Sequence, residues 1–400
     1  MFEANLNERP SRLDRLQLAA LLGLMLIGGA FVYSATMVSE AARLAPWYHQ
    51  AWFRQILWYV LGTGAAALVC CVSYHTLARW SMVAYWGSVV LLLMVLLVGT
   101  VRFGARRWFD LGFFSIQPSE LAKLAFILAE AHFLSRPVEE LRLLATFWKA
   151  LGLMLLPFVL ILKEPDLGSA LVFLPTGLAM LFVAGTPRRY LLRLVGAVGI
   201  LGALFLVDVL FAPPNWQVKL EDYQRRRLLV YFDINYAPPD ASKAERERLR
   251  KQQFDDSHNV RQALISVGSG GLTGKGWRQG TQNALGFLPR TVAHNDFIFS
   301  VIAEESGFVG SVTVLTLYGV VLFTGLRIAG QARDRLGKTL AVGVVMLLFS
   351  HVFINIGMNI RIMPVTGVPL PLLSYGGSSV LGSLIAMGIL QNVYIYRKAY

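Results

Sequence analysis

Long apolar runs separated by short polar segments dominate the chain and predict membrane-spanning helices. The hydrocarbon core of a bilayer requires about 20 apolar residues per spanning helix. Ten runs approach or exceed that length, although one of them (118–135) carries charges and another (297–326) is overlong, with Gly307 and Gly310 inside it. The runs lie near 16–36, 55–73, 81–101, 118–135, 145–162, 168–185, 190–212, 297–326, 339–360 and 376–396.

The composition indicates the same class of protein. Hydrophobic residues occupy 55% of the 400 positions and charged residues only 15%, which is too apolar for a soluble globule. We therefore predict an all-α polytopic integral membrane protein with about ten transmembrane helices. The runs follow one another without a tandem repeat, so residues 1–400 are predicted to form a single membrane domain.

The Lys and Arg residues of the short loops indicate the orientation of this domain, because cytoplasmic loops carry an excess of them. If the N-terminus is inside, the loops on that side contain twice as many as the opposite loops, so both termini are predicted to be cytoplasmic. The cytoplasmic set is Arg9, Arg12, Arg15, Arg79, Arg136, Arg142, Arg188, Arg189, Arg327, Arg333, Arg335, Lys338, Arg397 and Lys398. The opposite set is Arg43, Arg54, Arg102, Arg106, Arg107, Lys163 and Arg361.

One large interruption, residues 213–296, separates the seventh and eighth runs, and the predicted orientation makes it an extracytoplasmic loop. Its first part mixes aromatic residues with Arg225, Arg226 and Arg227, which suits an amphipathic segment at the membrane interface. The middle part, 238–257, is highly charged and predicts a solvated helix or a mobile excursion. The last part is rich in glycine and re-entrant in character.

The net charge of +13 and the cysteine and histidine content argue against several other classes. Much of the positive charge follows from the excess in cytoplasmic loops, and no nucleic-acid-binding motif accompanies it. Anionic lipid head groups or a diphosphate substrate are better-matched partners. Cys70 and Cys71 are adjacent, which supports neither a disulfide framework nor a metal site, and the six histidines lack ligand spacing.

Asp296 is the best candidate for a catalytic residue. It stands where the large loop meets the eighth run, and a carboxylate against an apolar helix end is costly unless it is solvated, paired or functional. Such a position can raise the pKa of the carboxyl group and make it a usable general base. Helical spacing places Ser300 and Glu304 on roughly the same face. The alternative role is an aspartate at or near a helix N-cap, stabilised by the helix dipole.

Charged and aromatic residues around the start of the fourth run form a second candidate cluster. The segment 117–120, Gln-Pro-Ser-Glu, predicts a helix start, and Glu120 and Lys123 are spaced to pair on its surface. The pair either neutralises itself inside the bundle or lines a cavity in which Lys123 meets a diphosphate. Just before it, Arg107 and Trp108 can hold a phosphate and stack on a sugar ring, or simply anchor the interface.

Two irregular segments complete the candidate residues. Lys163 and Asp166 belong to the charged turn KEPDLG, which either contributes to a site or caps the next helix. The segment 364–379, PVTGVPLPLLSYGGSS, places three prolines and three glycines between two apolar runs, where irregular backbone requires protein or a water-filled cavity around it. Its Ser374 precedes a helix start whose N–H groups can bind an anion, although the segment also suits a packed break between helices.

These motifs resemble those of the SEDS family of bacterial shape, elongation, division and sporulation proteins. The resemblance covers essentially the whole chain and rests on RRWFDLG and QPSELAKLA, PDLG, GTQNALGFLPRTVAHNDFIF and PVTGVPLPLLSYGGSS. The string SVGSGGLTGKGW followed by GTQ is similar to the elongation branch, RodA, rather than to the division branch, FtsW. Two positions depart from the elongation type, which usually has Glu where Arg290 stands and Thr where Asn295 stands. Any substrate contact or metal binding by that Glu is therefore in question for this chain.

The resemblance implies a glycosyltransferase of the bacterial inner membrane that polymerises lipid II into peptidoglycan on the extracytoplasmic side. The transfer is inverting, undecaprenyl diphosphate is the leaving group, and Asp296 is the implied catalytic base. Positive charge beside the diphosphate comes from side chains, a helix N-terminus or a divalent cation, Mg²⁺ or Mn²⁺. The implied partner is a class B penicillin-binding protein, a transpeptidase. The implied substrate-binding residues are Arg107, Trp108, Glu120, Lys123, Lys163, Asp166, Gln282 and Ser374.

Two other functions are compatible with a polytopic protein of this kind. A lipid II flippase would share the broken helices and the intramembrane charges. However, the hydropathy pattern shows no inverted halves, and the candidate residues cluster on the predicted outer side. A non-catalytic scaffold for a cell-wall transpeptidase is also open, because an intact active site and a partner surface can coexist.

Overall fold

Apolar helices form the body of the protein, as the hydropathy pattern predicts. The computed structural model describes residues 13–38, 44–102, 105–110, 112, 114–211, 222–236, 242–288 and 292–397. The first helices are α1 Arg15–Thr36, α2 Ala51–Cys71, α3 Tyr74–Arg79, α4 Ser81–Val98, α5 Pro118–Leu134, α6 Val138–Leu141, α7 Leu144–Lys163, α8 Leu167–Leu171 and α9 Phe173–Ala184. The remaining helices are α10 Arg188–Phe211, α11 Asp222–Tyr231, α12 Lys243–Ser269, α13 Thr281–Ala284, α14 Ile298–Gln331, α15 Arg335–Asn359 and α16 Gly377–Tyr396.

Nine helical stretches of the described residues are long and apolar enough to cross a membrane. They coincide with nine of the ten predicted runs, and α8 and α9 together make one of them. The remaining run, 118–135, forms α5, which has 17 residues. The overlong run, 297–326, becomes the 34-residue α14 with a kink at Gly307, where φ is 66° and ψ is −159°. The chain is therefore a mostly helical, multi-pass membrane protein.

The central position of α5 explains why a membrane helix carries charged residues. It packs against α4, α7, α9, α15 and α16, and its Phe126 and Ile127 belong to the core. Glu120 and Lys123 are buried among these helices and so avoid the lipid, where a charge is expensive. By contrast, α10 is exposed along nearly its whole length.

A small antiparallel sheet interrupts the helices and corrects the all-α prediction. Its strands are β1 Thr100–Arg102, β2 Ala105–Asp110 and β3 Ser115–Ile116, in the order β1-β2-β3. The register pairs Val101 with Arg106 and Phe109 with Ile116. Strands this short carry little periodicity of their own, so the sequence pattern indicated only an external loop. The sheet fixes Arg107 and Trp108 directly before α5.

The described parts of the large loop contain three helices, α11, α12 and α13. In α12, 27 residues long, the N-terminal residues are exposed, which confirms a solvated helix for the described part of 238–257. Residues 212–221 and 237–241 lie outside the described residues, as does Arg290.

The glycine-rich part of the loop packs on the first turns of α14, at its kink. Lys275 N donates to the Glu304 carbonyl at 3.0 Å, and Phe308 N donates to the Gly271 carbonyl at 2.9 Å. A Cβ on Gly307 would lie 2.3 Å from a backbone nitrogen of this segment, so the two backbones touch there. A side chain at that position would force them apart.

The irregular segment 364–379 joins α15 to α16 and is covered by protein, as its composition predicts. Tyr59 Oη donates to the Leu372 carbonyl at 2.6 Å, and Gln55 Nε2 donates to the Ser374 carbonyl at 3.1 Å. Side chains of α2 therefore satisfy carbonyl groups that have left the helical ladder.

Candidate active site

Asp296 lies at the wall of a cavity of about 340 Å³ and is partly exposed to it. It precedes Phe297, which occupies the N-cap position of α14. Burial by the surrounding protein raises the pKa of the Asp296 carboxyl from 3.8 to about 6; the charges of Arg227 and Arg107 oppose this shift, and that of Asp166 reinforces it. A carboxyl group with this pKa can take up a proton at neutral pH, which is what a general base requires.

Two asparagines of α15 hold the backbone of Asp296. Asn355 and Asn359 are fully buried, and each donates from Nδ2 to the Asp296 carbonyl, at 3.0 and 3.1 Å. Asn355 also donates to the Val368 carbonyl at 2.8 Å, which ties the segment 364–379 to the same point. Neither asparagine was among the residues predicted from the sequence. Two amides four residues apart inside an apolar run are the signal that indicates them.

Guanidinium groups line the cavity beside Asp296. Arg226 and Arg227 come from α11, and Arg361 comes from the turn after α15. Arg227 Nη1 donates to the Val365 carbonyl at 3.2 Å, which holds α11 against the segment 364–379. The sequence pattern predicts an interfacial position for Arg226 and Arg227 and indicates no role for Arg361. Their convergence makes the cavity suited to an anionic group.

The turn between α7 and α8 is joined by hydrogen bonds to β2 of the sheet that precedes α5. Arg107 Nε donates to the Glu164 carbonyl at 3.0 Å. Asp166 is buried; it caps α8 with one carboxylate oxygen, and its other oxygen accepts from Gln117 Nε2 at 2.9 Å. Arg107 and Asp166 are near enough to Asp296 to act on its ionisation. Asp166 therefore caps a helix and also lies near Asp296, so it combines the two roles that the sequence left open.

Glu164 is a buried acid in the same turn. Burial raises its pKa to about 8, and Asp166 adds to the shift while Arg107 opposes it. In the described part of the chain, neither of its carboxylate oxygens has a hydrogen-bond partner. This shift favours the protonated form of Glu164 at neutral pH.

Glu120 and Lys123 form the predicted pair inside the bundle. Lys123 Nζ lies 2.8 Å from Glu120 Oε1, which confirms the pairing. It also lies 2.8 Å from Nε2 of His351 on α15, a contact that was not predicted from the sequence. All three side chains are buried.

Three other residues predicted to bind substrate, Trp108, Lys163 and Ser374, differ in their exposure and their contacts. Trp108 lies on β2 and is partly exposed, whereas Lys163 is exposed at the end of α7. Ser374 Oγ donates to the Asn295 carbonyl at 2.6 Å and accepts from Leu370 N at 2.8 Å. This hydroxyl therefore fixes the residue before the aspartate.

Gln282 belongs to a separate cluster around Glu304. Gln282 N donates to Glu304 Oε1 at 3.0 Å, and Lys275 Nζ lies 2.6 Å from the same oxygen. Glu304 thus anchors the glycine-rich segment. Ser300, predicted on the same face, donates to Asn359 Oδ1 at 2.6 Å. The two side chains therefore serve different contacts.

The described residues include no group of three or more His, Cys, Asp or Glu side chains placed to hold a metal ion. The cationic groups near Asp296 in this part of the chain include Arg107 and Arg227. The divalent cation implied by the resemblance stays a prediction.

Comparison with known proteins identifies the family. Residues 14–399 match the FtsW, RodA and SpoVE family, described as a cell cycle protein. This chain belongs to that family. It is the SEDS family that the sequence motifs resemble, so the resemblance is confirmed.

Individual members of the family are similar over most of their length. The peptidoglycan glycosyltransferase MrdB of Escherichia coli K12 is 39% identical over 319 residues, which cover 80% of this chain and 79% of MrdB. The crystal structure of the rod shape determining protein RodA of Thermus thermophilus has a TM-score of 0.64 and 28% identity, covering 96% of this chain and 98% of RodA. A chain in the structure called "Structural coordination of polymerization and crosslinking by a peptidoglycan synthase complex" has a TM-score of 0.76 and 30% identity, with coverage of 97% and 99%.

Proposed function

We propose that this protein is a peptidoglycan glycosyltransferase that polymerises lipid II during cell elongation and shape maintenance. Family membership supports the activity, because MrdB, 39% identical to this chain, is named a peptidoglycan glycosyltransferase. The likeness to a RodA structure supports the role in elongation. The observation that carries the proposal is Asp296, a carboxyl group with a pKa of about 6 at an arginine-lined cavity.

Asp296 serves as the general base in this reaction. The 4-hydroxyl of GlcNAc on the acceptor attacks C1 of MurNAc on the donor, opposite the leaving group, and Asp296 accepts the hydroxyl proton. The new glycosidic bond forms as the C1–O bond to the diphosphate breaks, and undecaprenyl diphosphate leaves with the electron pair. A single displacement inverts C1. A positioned base contributes roughly 10²–10⁴ to the rate.

Cationic side chains stabilise the diphosphate groups of the two lipid-linked substrates. Arg226 and Arg227 offer guanidinium groups on one side of the cavity, and Arg107 and Lys123 offer positive charge nearer the helical core. Charge placed where the leaving group develops its negative charge lowers the barrier. The other candidate substrate contacts are Trp108, Glu120, Lys163, Asp166, Gln282 and Ser374.

We propose ten spanning helices in a single domain, namely the nine candidate spans and α5, with both termini in the cytoplasm and residues 213–296 outside. The distribution of Lys and Arg supports this orientation. Helix α7 starts beside Arg142 of the predicted cytoplasmic set and ends at the turn that holds Asp166, so the site faces the extracytoplasmic side of the bacterial inner membrane.

The proposed partner is a class B penicillin-binding protein, a transpeptidase that cross-links the new strands. A similar solved structure is named for the coordination of polymerization and crosslinking by a peptidoglycan synthase complex, which supports this pairing. The partner is proposed to bind in the membrane and to increase polymerisation.

The deciding experiment is polymerisation of purified lipid II in liposomes, with and without the cognate transpeptidase. We expect glycan strands from the wild-type protein and none from Asp296→Asn. The control is Glu139→Gln, which makes the same carboxylate-to-amide change at an exposed position on the opposite side of the bundle. Thermal stability and elution in detergent confirm that both variants fold.

The outcomes separate the proposal from the other functions. Equal polymer from the wild type and a folded Asp296→Asn variant would remove Asp296 from the mechanism. No polymer from the wild type with its partner would favour a lipid II flippase, detected by transport of labelled lipid II across the same liposomes, or a scaffold, detected by transpeptidase binding without either activity.

A further inference from the structure

Lys123 is held between two buried partners from different helices. Its ammonium nitrogen lies 2.8 Å from Glu120 Oε1 on the same helix and 2.8 Å from His351 Nε2 on α15. The three residues are only 2–6% exposed. An ammonium group has three N–H donors, so these two contacts leave one donor for a ligand.

The contacts of His351 determine which of its ring nitrogens carries hydrogen. Nδ1 lies 2.8 Å from the Leu347 carbonyl oxygen, which can only accept a hydrogen bond. Nδ1 is therefore protonated, and Nε2 offers a lone pair to Lys123. His351 is accordingly a neutral acceptor that fixes the ammonium without cancelling its charge.

The same face of α15 connects this contact to Asp296. His351, Asn355 and Asn359 are spaced at intervals of four residues and form one buried polar stripe along an apolar helix. Asn355 and Asn359 hold the Asp296 carbonyl, and one interval along the helix spans about 6 Å. The contact between His351 and Lys123 therefore lies on the face of α15 that also carries the two asparagines that hold Asp296.

We propose that His351 is a positioning residue that holds the Lys123 ammonium towards the diphosphate of a lipid-linked substrate. The inference rests on the proposed function, in which that diphosphate enters the cavity. A lysine on a flexible four-carbon stem can otherwise fold against Glu120, its neighbour on α5. His351 binds it from the facing helix and so sets its direction.

The test compares two amide replacements that differ in reach. In His351→Gln the side-chain oxygen can occupy the position of Nε2 and accept from Lys123. In His351→Asn the side chain ends near the position of Nδ1 and cannot reach the ammonium. We measure the dissociation constant of undecaprenyl diphosphate for each purified protein in detergent. His351→Asn should bind roughly tenfold more weakly than the wild type, and His351→Gln should bind nearly as tightly as the wild type.

A double-mutant cycle with Lys123→Met isolates the proposed contact. If His351 acts through Lys123, His351→Asn should add no further loss of affinity in the Lys123→Met background. Ser350→Ala is the matched control, because Ser350 is buried on the same helix and donates only to its own helical backbone at 2.7 Å. It should leave the dissociation constant unchanged.

Three results would overturn the inference: wild-type affinity in His351→Asn, equal weakening in both amide variants, or a full His351→Asn effect in the Lys123→Met background. Because the measurement is binding of the product, it remains decisive if the wild type fails to polymerise lipid II. A wild type that polymerises while His351→Asn binds normally would reject this inference alone.

Discussion

At the scale of residues, the surroundings of each acid decide what it can do. Glu120 lies 2.8 Å from Lys123 and is committed to that pair. One carboxylate oxygen of Asp166 caps α8, and the other accepts a hydrogen bond from Gln117. Asp296 instead faces a cavity, where burial raises its pKa to about 6 against the opposing charges of Arg227 and Arg107. Of these acids, Asp296 is the one placed to exchange a proton with a substrate.

The shifted pKa of Asp296 leads to a prediction about pH dependence. Only the deprotonated carboxylate accepts a proton, so kcat/KM for lipid II should rise with pH along a limb centred near pH 6. Arg227→Gln removes a positive charge that lowers this pKa, so the limb should move to higher pH. The measurement is the rate between about pH 5 and 8 at constant ionic strength.

The control for this profile is Arg189→Gln, an exposed arginine at the start of α10. Its limb should coincide with that of the wild type. A limb that stays in place in Arg227→Gln would show that Arg227 does not act on the catalytic group.

At the scale of elements, α15 does more than cross the membrane. Its apolar sequence packs in the core, while Asn355 and Asn359 on one face hold the Asp296 carbonyl. Asn355 reaches the Val368 carbonyl as well, so α15, the start of α14 and the segment 364–379 meet at one buried hydrogen-bond network. The aspartate is thus positioned by a rigid helix although it lies in an irregular turn.

This network predicts that Asn355→Leu will lose activity as well as stability. The buried Val368 carbonyl loses its Asn355 donor, at a cost of about 1–3 kcal/mol, and the Asp296 carbonyl keeps only the donor of Asn359, so the melting temperature should fall. Displacement of Asp296 should lower kcat per folded molecule by roughly tenfold or more. Differential scanning fluorimetry and polymerisation kinetics measure the two effects.

Asn392→Leu separates these two effects. Asn392 is also buried and donates to the Val69 and Val72 carbonyls at the end of α2. It should lose comparable stability with unchanged kcat per folded molecule. If both variants lose kcat equally, the network around Asp296 has no particular role in positioning.

At the scale of the whole molecule, the helices gather charged groups on the predicted outer side of an apolar bundle. Lys123 lies on the core helix α5, Arg107 lies on β2 of the sheet, and Arg227 lies on α11 of the large loop. Arg227 is more than 100 positions from Lys123 and Arg107 in the sequence, so only the folded bundle brings the three residues together. Access for a lipid-linked substrate then depends on the orientation of the bundle in the membrane.

Cysteine accessibility tests that orientation. In a background with Cys70 and Cys71 replaced by alanine, Lys251→Cys on the exposed part of α12 should react with a membrane-impermeant maleimide in intact spheroplasts. Glu139→Cys, exposed on the opposite side, should react only after permeabilisation. The reverse pattern would place Asp296 in the cytoplasm and contradict an extracytoplasmic active site.

The sequence by itself determined the class of protein and led to the prediction of Asp296 as the catalytic base. Apolar runs of membrane length predict spanning helices because an uncovered peptide group is costly in lipid, and nine of the ten runs form such helices among the described residues. Spacing of three residues on a helix likewise predicted the Glu120–Lys123 pair, since such neighbours share one face. The motif around Asp296 singled out that carboxylate before its surroundings were known.

The tertiary structure alone decided which distant residues meet around Asp296. Hydrogen bonds from α15 and guanidinium groups from α11 join residues separated by long stretches of chain, and hydropathy records only how apolar each stretch is. The hydropathy pattern did not predict the short strands before α5, because backbone pairing, rather than side-chain periodicity, stabilises them. In the sequence, His351 is only one polar residue within a predicted membrane helix. It becomes the partner of Lys123 because α15 packs against α5.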